Sequence, residues 1–79
     1  MARSDNSQTE IRVAVDKEFL EALQKRLGVS RATEVARSAL TLLDWAATET
    51  QNGRVILSST EKGSDVHRLV MPELSTKKL

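Results

Sequence analysis

The feature that most constrains the fold of this chain is a single strand pattern followed at once by two helical patterns. Apolar side chains alternate with polar or small ones through residues 9–15, which is the period of a strand with one buried face. The residues that follow, to position 50, read as helix, so the strand has no neighbour nearby with which to form a sheet. The simplest way for this strand to gain a hydrogen-bonded neighbour is to pair with the same strand of a second copy across a two-fold axis. The apolar set is Ile11, Val13 and Val15, and the alternating set is Glu10, Arg12 and Ala14.

The two faces of such a ribbon have different expected roles. Its three apolar side chains per chain are expected to pack on the helices and to form part of a dimer core. The alternating set is expected to lie on the open face. A β-ribbon carried on a helical dimer has a shape that fits the DNA major groove. The pattern therefore predicts a surface that reads double-stranded DNA.

Length and composition also favour assembly from more than one copy. The chain has 79 residues, no cysteine and one histidine, so neither disulfides nor a structural zinc site are expected to stabilise it. Chains this short bury a small share of their surface, and oligomerisation is the obvious remaining device. The net charge is +1, from 12 basic and 11 acidic residues, so any contact with nucleic acid must arise from local placement of charge.

Nothing in the sequence predicts a membrane partner. No apolar run approaches the roughly 20 residues of a membrane span, and residues 1–8 lack the apolar core of a signal peptide. Residues 1–8 are polar and small, which predicts a disordered arm. A soluble cytoplasmic protein is expected, and the absence of cysteine agrees with a reducing compartment.

Two helices are predicted between the strand and residue 52. Asp16 lies at the N-cap position of the first, an apolar stripe follows at spacings of three and four, and Gly28 is placed to end it. Ser30 is the expected N-cap of the second, which runs from about Arg31 to Thr50. Its apolar surface is wider than one neighbouring helix covers, which indicates packing on its own chain and on a partner. The helical part of the dimer core is therefore predicted to include Val35, Ala39 and Leu43.

Residues 53–74 are predicted to form a C-terminal β-hairpin, and residues 75–79 a tail. Two β-rich segments, 54–58 and 66–71, flank a polar loop that contains a glycine, and Pro72 stops the second segment. The apolar side chains of this hairpin have two open interpretations: they cover the helical dimer, or they offer a strand edge to another protein. These side chains are Val55, Leu57, Leu69 and Met71.

The order of strand, short helix, glycine-containing turn and longer helix resembles the ribbon-helix-helix family, which includes the Arc and methionine repressors. The resemblance covers roughly residues 9–50 and rests on the stretches IRVAVDKEFL, from residue 11, and LGVSRATEVARSAL, from residue 27. It implies a mainly α fold with short β: a homodimer with an intermolecular two-stranded antiparallel ribbon, two helices per chain and here an added hairpin. It also implies that the ribbon enters the major groove and that the start of the second helix binds a DNA phosphate.

Two sets of residues receive roles from this resemblance. The outward strand positions would read bases: Arg12 pairs with guanine through two hydrogen bonds, Glu10 accepts from cytosine, and Ala14 touches a thymine methyl. Family members often carry polar or basic residues at all three positions, so Glu10 and Ala14 depart from the pattern. Phosphate binding would fall to the start of the second helix, where free amides and the helix dipole favour an anion. The residues there are Ser30, Arg31 and Ala32.

Three functions fit these expectations. The leading one is a homodimeric, sequence-specific DNA-binding transcriptional repressor, whose dimers associate further on DNA. The alternatives are the antitoxin of a toxin–antitoxin pair, with a protein partner bound by the hairpin, and a dimeric adaptor that does not bind DNA. An antitoxin typically leaves its C-terminal segment disordered until the toxin binds, so a hairpin that folds alone favours the repressor. An enzyme is not expected, because there is no cysteine nucleophile, His67 has no evident partner, and no glycine-rich phosphate loop exists. No cofactor or metal is expected either.

Overall fold

The structure, a computed structural model, describes residues 7–74. Two helices and two short strands follow one another along the chain: α1 spans Lys17–Leu27, α2 spans Ala32–Gln51, β1 spans Leu57–Ser58 and β2 spans His67–Arg68. A 3-10 helix covers Pro72–Leu74. The protein is therefore a small mixed α/β chain with two helices and a two-stranded antiparallel sheet. The predicted tail at 75–79 and all but two residues of the predicted arm lie outside the described residues.

The chain divides into two compact units, Met1–Ala32 and Thr33–Leu79. The first contains α1 and the segment that precedes it, and the second contains nearly all of α2 together with the hairpin. Within residues 7–74, no helix combines the length and the apolar character needed to cross a membrane.

Helix α1 is capped at both ends by the residues that the sequence indicated. The carboxylate Oδ2 of Asp16 accepts a hydrogen bond of 2.9 Å from the amide of Phe19, which satisfies a donor that the first turn leaves free. Gly28 ends the helix with a left-handed φ of 68°, and its amide donates to the carbonyl of Lys25 at 3.2 Å. A residue with a side chain is strained in this conformation, so glycine suits the position.

Asp16→Ala is expected to lower the free energy of unfolding by about 1 kcal/mol, because the amide of Phe19 loses its acceptor. Asp16→Ser, which retains an oxygen acceptor, is expected to recover most of this loss. Urea unfolding at one fixed chain concentration measures both values. Equal stability of the alanine and serine variants would contradict a capping role for this side chain.

Helix α2 has the predicted extent to within one residue at either end. It begins at Ala32, so Arg31 occupies the flanking position that the sequence assigned to Ser30. Within the described residues the Ser30 hydroxyl makes no hydrogen bond, so the predicted N-cap role of Ser30 is wrong. The other end closes at Gly53, whose φ is 82° and whose amide donates to the carbonyl of Thr50 at 3.1 Å.

The C-terminal strands pair antiparallel, with Leu57 opposite Arg68. One further main-chain bond, from the amide of Leu69 to the carbonyl of Ile56 at 2.8 Å, extends the pairing toward the base of the hairpin. The predicted hairpin is therefore confirmed, although its regular strands are shorter than the β-rich segments of the sequence. The residues of both strands are exposed, so little buried surface is available to stabilise a longer two-stranded sheet.

The hairpin loop is closed by main-chain bonds and a glycine. The amide of Gly63 donates to the carbonyl of Thr60, and the amide of Thr60 donates to the carbonyl of Ser64, both at 2.9 Å. Gly63 has a φ of 82°, which is typical of a three-residue hairpin loop. The pairing shifts by one residue between this loop and the strands, so the returning strand carries a bulge. Asp65 lies there with a φ of 53°.

Few side chains of the described residues are buried. The buried apolar ones are Ala46 on α2 and Leu74 in the 3-10 helix. Thr50 is also buried, and its hydroxyl donates to the carbonyl of Ala47 at 3.1 Å, so its burial leaves no unmet hydrogen bond. The core of the second unit therefore includes the C-terminal half of α2.

Candidate nucleic-acid interface

The segment predicted as the ribbon strand is exposed and has no regular secondary structure. Residues 8–16 carry neither helix nor strand. The exposed fractions of Ile11, Val13 and Val15 are 65%, 71% and 48%. In residues 7–74 the assigned strands pair with each other, so this segment has no sheet partner there. Its apolar side chains therefore stay in water, and the intermolecular ribbon remains a prediction.

The three outward positions of the predicted ribbon are also exposed. Glu10, Arg12 and Ala14 alternate with the apolar set, and none of them is covered. Within the described residues the side chain of Arg12 forms no ion pair or hydrogen bond. Its guanidinium is therefore available to donate two parallel hydrogen bonds to an external acceptor such as guanine. Glu10 adds a negative charge two residues away, which opposes a general attraction to phosphate.

The turn before α2 is held by a side chain that the sequence analysis did not single out. The amide Nε2 of Gln24 donates to the carbonyl of Ser30 at 3.1 Å and lies 3.5 Å from the carbonyl of Val29. The main-chain carbonyl of Gln24 in turn accepts from the amide of Val29 at 3.0 Å. The turn is thus bonded to α1 through both the backbone and one side chain. No periodic pattern in the sequence signals this role for Gln24.

The residues proposed for phosphate contact surround the start of α2 and are exposed. They are Ser30, Arg31 and Ala32. Amides in the first turn of a helix carry partial positive charge, which favours an anion. Glu34 lies in the first turn as well, so this end of the helix carries charges of both signs.

Helix α2 carries apolar side chains that the described residues leave largely uncovered. Of the three predicted core residues, Val35 is half-buried, whereas Ala39 and Leu43 are exposed. Trp45, expected in the core or in an interface, is 51% exposed. Further exposed apolar side chains on this helix are Leu40 and Leu42. The exposure of these side chains agrees with the wide apolar pattern that the sequence shows for this helix.

One further polar pair among the described residues involves the histidine of the hairpin. His67 lies exposed in β2, as expected, but the expectation that it lacks a partner is wrong, because its Nε2 is 3.2 Å from the Oδ1 of Asp65. Within residues 7–74, no group of three histidine, cysteine, aspartate or glutamate side chains is placed to hold a metal ion. The comparison with protein-family models finds no match, and no match is found among curated proteins or solved structures.

Proposed function

We propose that this chain is a homodimeric DNA-binding regulator, a transcriptional repressor of the cytoplasm, whose paired 9–15 segments read the major groove. The observation that carries the proposal is the alternation of exposed Ile11, Val13 and Val15 directly before the capped start of α1. A segment with this pattern, attached to a well-formed helix and lacking a sheet partner in the described residues, has an evident mate in a second copy of itself.

The energetics support a dimer. Full burial of an aliphatic side chain contributes about 1.5–3 kcal/mol. With three such side chains from each copy, a ribbon packed on helices would contribute on the order of 10 kcal/mol, comparable with the whole stability of a small domain. The exposed apolar side chains of α2, such as Leu40 and Leu43, would add to this gain. The monomer has few buried apolar side chains in its described part to set against it.

The DNA assignment depends on the opposite face of the same ribbon. Arg12 would lie near its centre, once from each copy, with its guanidinium free to bind a guanine in each half-site. Ser30 and Arg31 would contact phosphate and fix the position of the ribbon in the groove. The small set of base-reading side chains would limit the number of base pairs that one dimer specifies.

The dimer is tested by thermal unfolding over a hundredfold range of chain concentration. The midpoint is expected to rise with concentration, because folding and association are coupled. Sedimentation equilibrium under the same conditions should give the mass of two chains. A constant midpoint together with a monomer mass would overturn the fold on which the proposal depends.

Retention of duplex DNA at several salt concentrations separates this proposal from its main rival. A dimeric adaptor that does not bind DNA is favoured by exposed Glu10 and by the net charge of +1. A DNA-binding dimer should bind a selected duplex with an affinity that falls as salt rises, since phosphate contacts release counterions. A dimer that retains no duplex even at low salt would support the adaptor.

A further inference from the structure

A cavity of about 440 Å³ lies at the base of the hairpin, beside the C-terminal end of α2. Its lining belongs entirely to the unit Thr33–Leu79; most of the lining side chains are apolar, and the surface that they and the backbone present is about equally polar and apolar. The lining includes half-buried Ile56 and Met71 and buried Leu74. The volume lies within the range of small-molecule sites in proteins. The cavity is therefore large enough for a small ligand with an apolar body.

Two arginines are the charged residues among those that line this cavity. Nε of Arg54 is 2.7 Å from Oε1 of Glu49, so this guanidinium already has a carboxylate partner. The side chain of Arg68 has neither an ion pair nor a hydrogen bond with residues 7–74. It projects from the strand position opposite Leu57, and the neighbouring lining is apolar. The cavity thus combines apolar side chains with a guanidinium that has no ion pair among residues 7–74.

We propose that this cavity binds a small monocarboxylate with an apolar chain, its carboxylate paired with Arg68. The planar guanidinium matches the two oxygens of a carboxylate, and the apolar lining covers hydrocarbon that would otherwise face water. Thr50, at the cavity, lies seven residues beyond Leu43 on α2, about 10 Å along the helix axis. None of the residues that line the cavity belongs to the predicted dimer core, and the proposal stands whether or not the chain binds DNA.

Calorimetric titration of the full chain with octanoate tests the proposal, at constant ionic strength and with octan-1-ol as the neutral analogue. Octanoate is expected to bind saturably, one molecule per chain, and at least about tenfold more tightly than octanol. Arg68→Gln is expected to weaken octanoate binding at least about tenfold and to leave octanol binding unchanged. Lys62→Gln removes one positive charge from the hairpin loop, outside the lining, and serves as the matched control.

A second pair of variants locates the site without disturbing folding. Val70 lines the cavity and is 79% exposed, so Val70→Glu places a repelling carboxylate at the site at little cost in stability. Val66→Glu makes the same change at an exposed hairpin position outside the lining. Only Val70→Glu should weaken octanoate binding. The proposal is overturned by equal effects of the two variants, by equal affinity for octanol, or by absence of saturable octanoate binding. A change of oligomeric state caused by Val70→Glu alone would also overturn it, and would assign the cavity to a second copy.

Discussion

Val13→Asp is expected to abolish the dimer at micromolar concentration and to leave most of the chain unfolded. Val13 is 71% exposed in the single chain, so the substitution would be harmless in a stable monomer. In the proposed ribbon the same position faces the helices, and an unpaired carboxylate buried there costs several kcal/mol. The dimer contains the change twice. Circular dichroism and sedimentation equilibrium at matched chain concentrations measure the loss.

Ala14→Asp is the matched control for this experiment. It introduces the same side chain at the adjacent position, which lies on the open face of the proposed ribbon and is exposed in the single chain. Its effect on the free energy of unfolding is expected to stay within about 0.5 kcal/mol. The reverse ranking would show that the ribbon faces are assigned the wrong way round. If neither substitution changes the stability or the oligomeric state, residues 9–15 do not form part of a dimer interface.

The helices and three of their four ends were predictable from sequence because the interactions that fix them are local; the N-cap of α2, predicted at Ser30, is the exception. The cap of α1 joins Asp16 to an amide three residues away, and Gly28 supplies a backbone conformation that few other residues adopt readily. The end of α2 at Gly53 follows the same rule. Each of these features needs only the identity of neighbouring residues, which a single sequence contains.

Features that depend on contacts between residues several positions apart were not predictable. The hydrogen bond from Gln24 to the carbonyl of Ser30 spans six residues across a turn, and glutamine has no pattern that marks such a role. The bulge at Asp65 follows from a one-residue shift in pairing, which becomes visible once the register is known. The burial of Leu74 likewise depends on how the chain returns after the hairpin.

The candidate DNA-binding segment could be predicted in part from the sequence. Alternation in residues 9–15 predicts which side chains need burial, and the structure leaves all three of them in water within a single chain. In the proposed dimer the missing cover comes from a second copy, which neither the local pattern nor one copy of the chain supplies. The base-reading role proposed for Arg12 depends on the same pairing, because a single extended segment has no fixed orientation in a groove until it is paired.

Arg12→Ala is expected to weaken binding to a selected duplex by about 1–3 kcal/mol for each half-site, while the dimer remains intact. Arg12 is exposed and forms no ion pair or hydrogen bond within the described residues, so its loss is expected to have little effect on folding. The duplex is obtained by selection from a randomised pool with the unmodified protein, and affinity is measured at several salt concentrations. Arg26→Ala, an equal charge change in the last turn of α1, is the control and should have a much smaller effect.

Arg12→Lys distinguishes base reading from simple attraction to phosphate. Lysine retains the positive charge, so a phosphate contact should survive with nearly the same dependence on salt. It lacks the planar fork, so the two parallel bonds to guanine are lost and discrimination between the selected duplex and a random one should fall. If Arg12→Ala weakens both duplexes equally and Arg12→Lys restores both, Arg12 contacts phosphate, and base reading has to be sought elsewhere on the dimer.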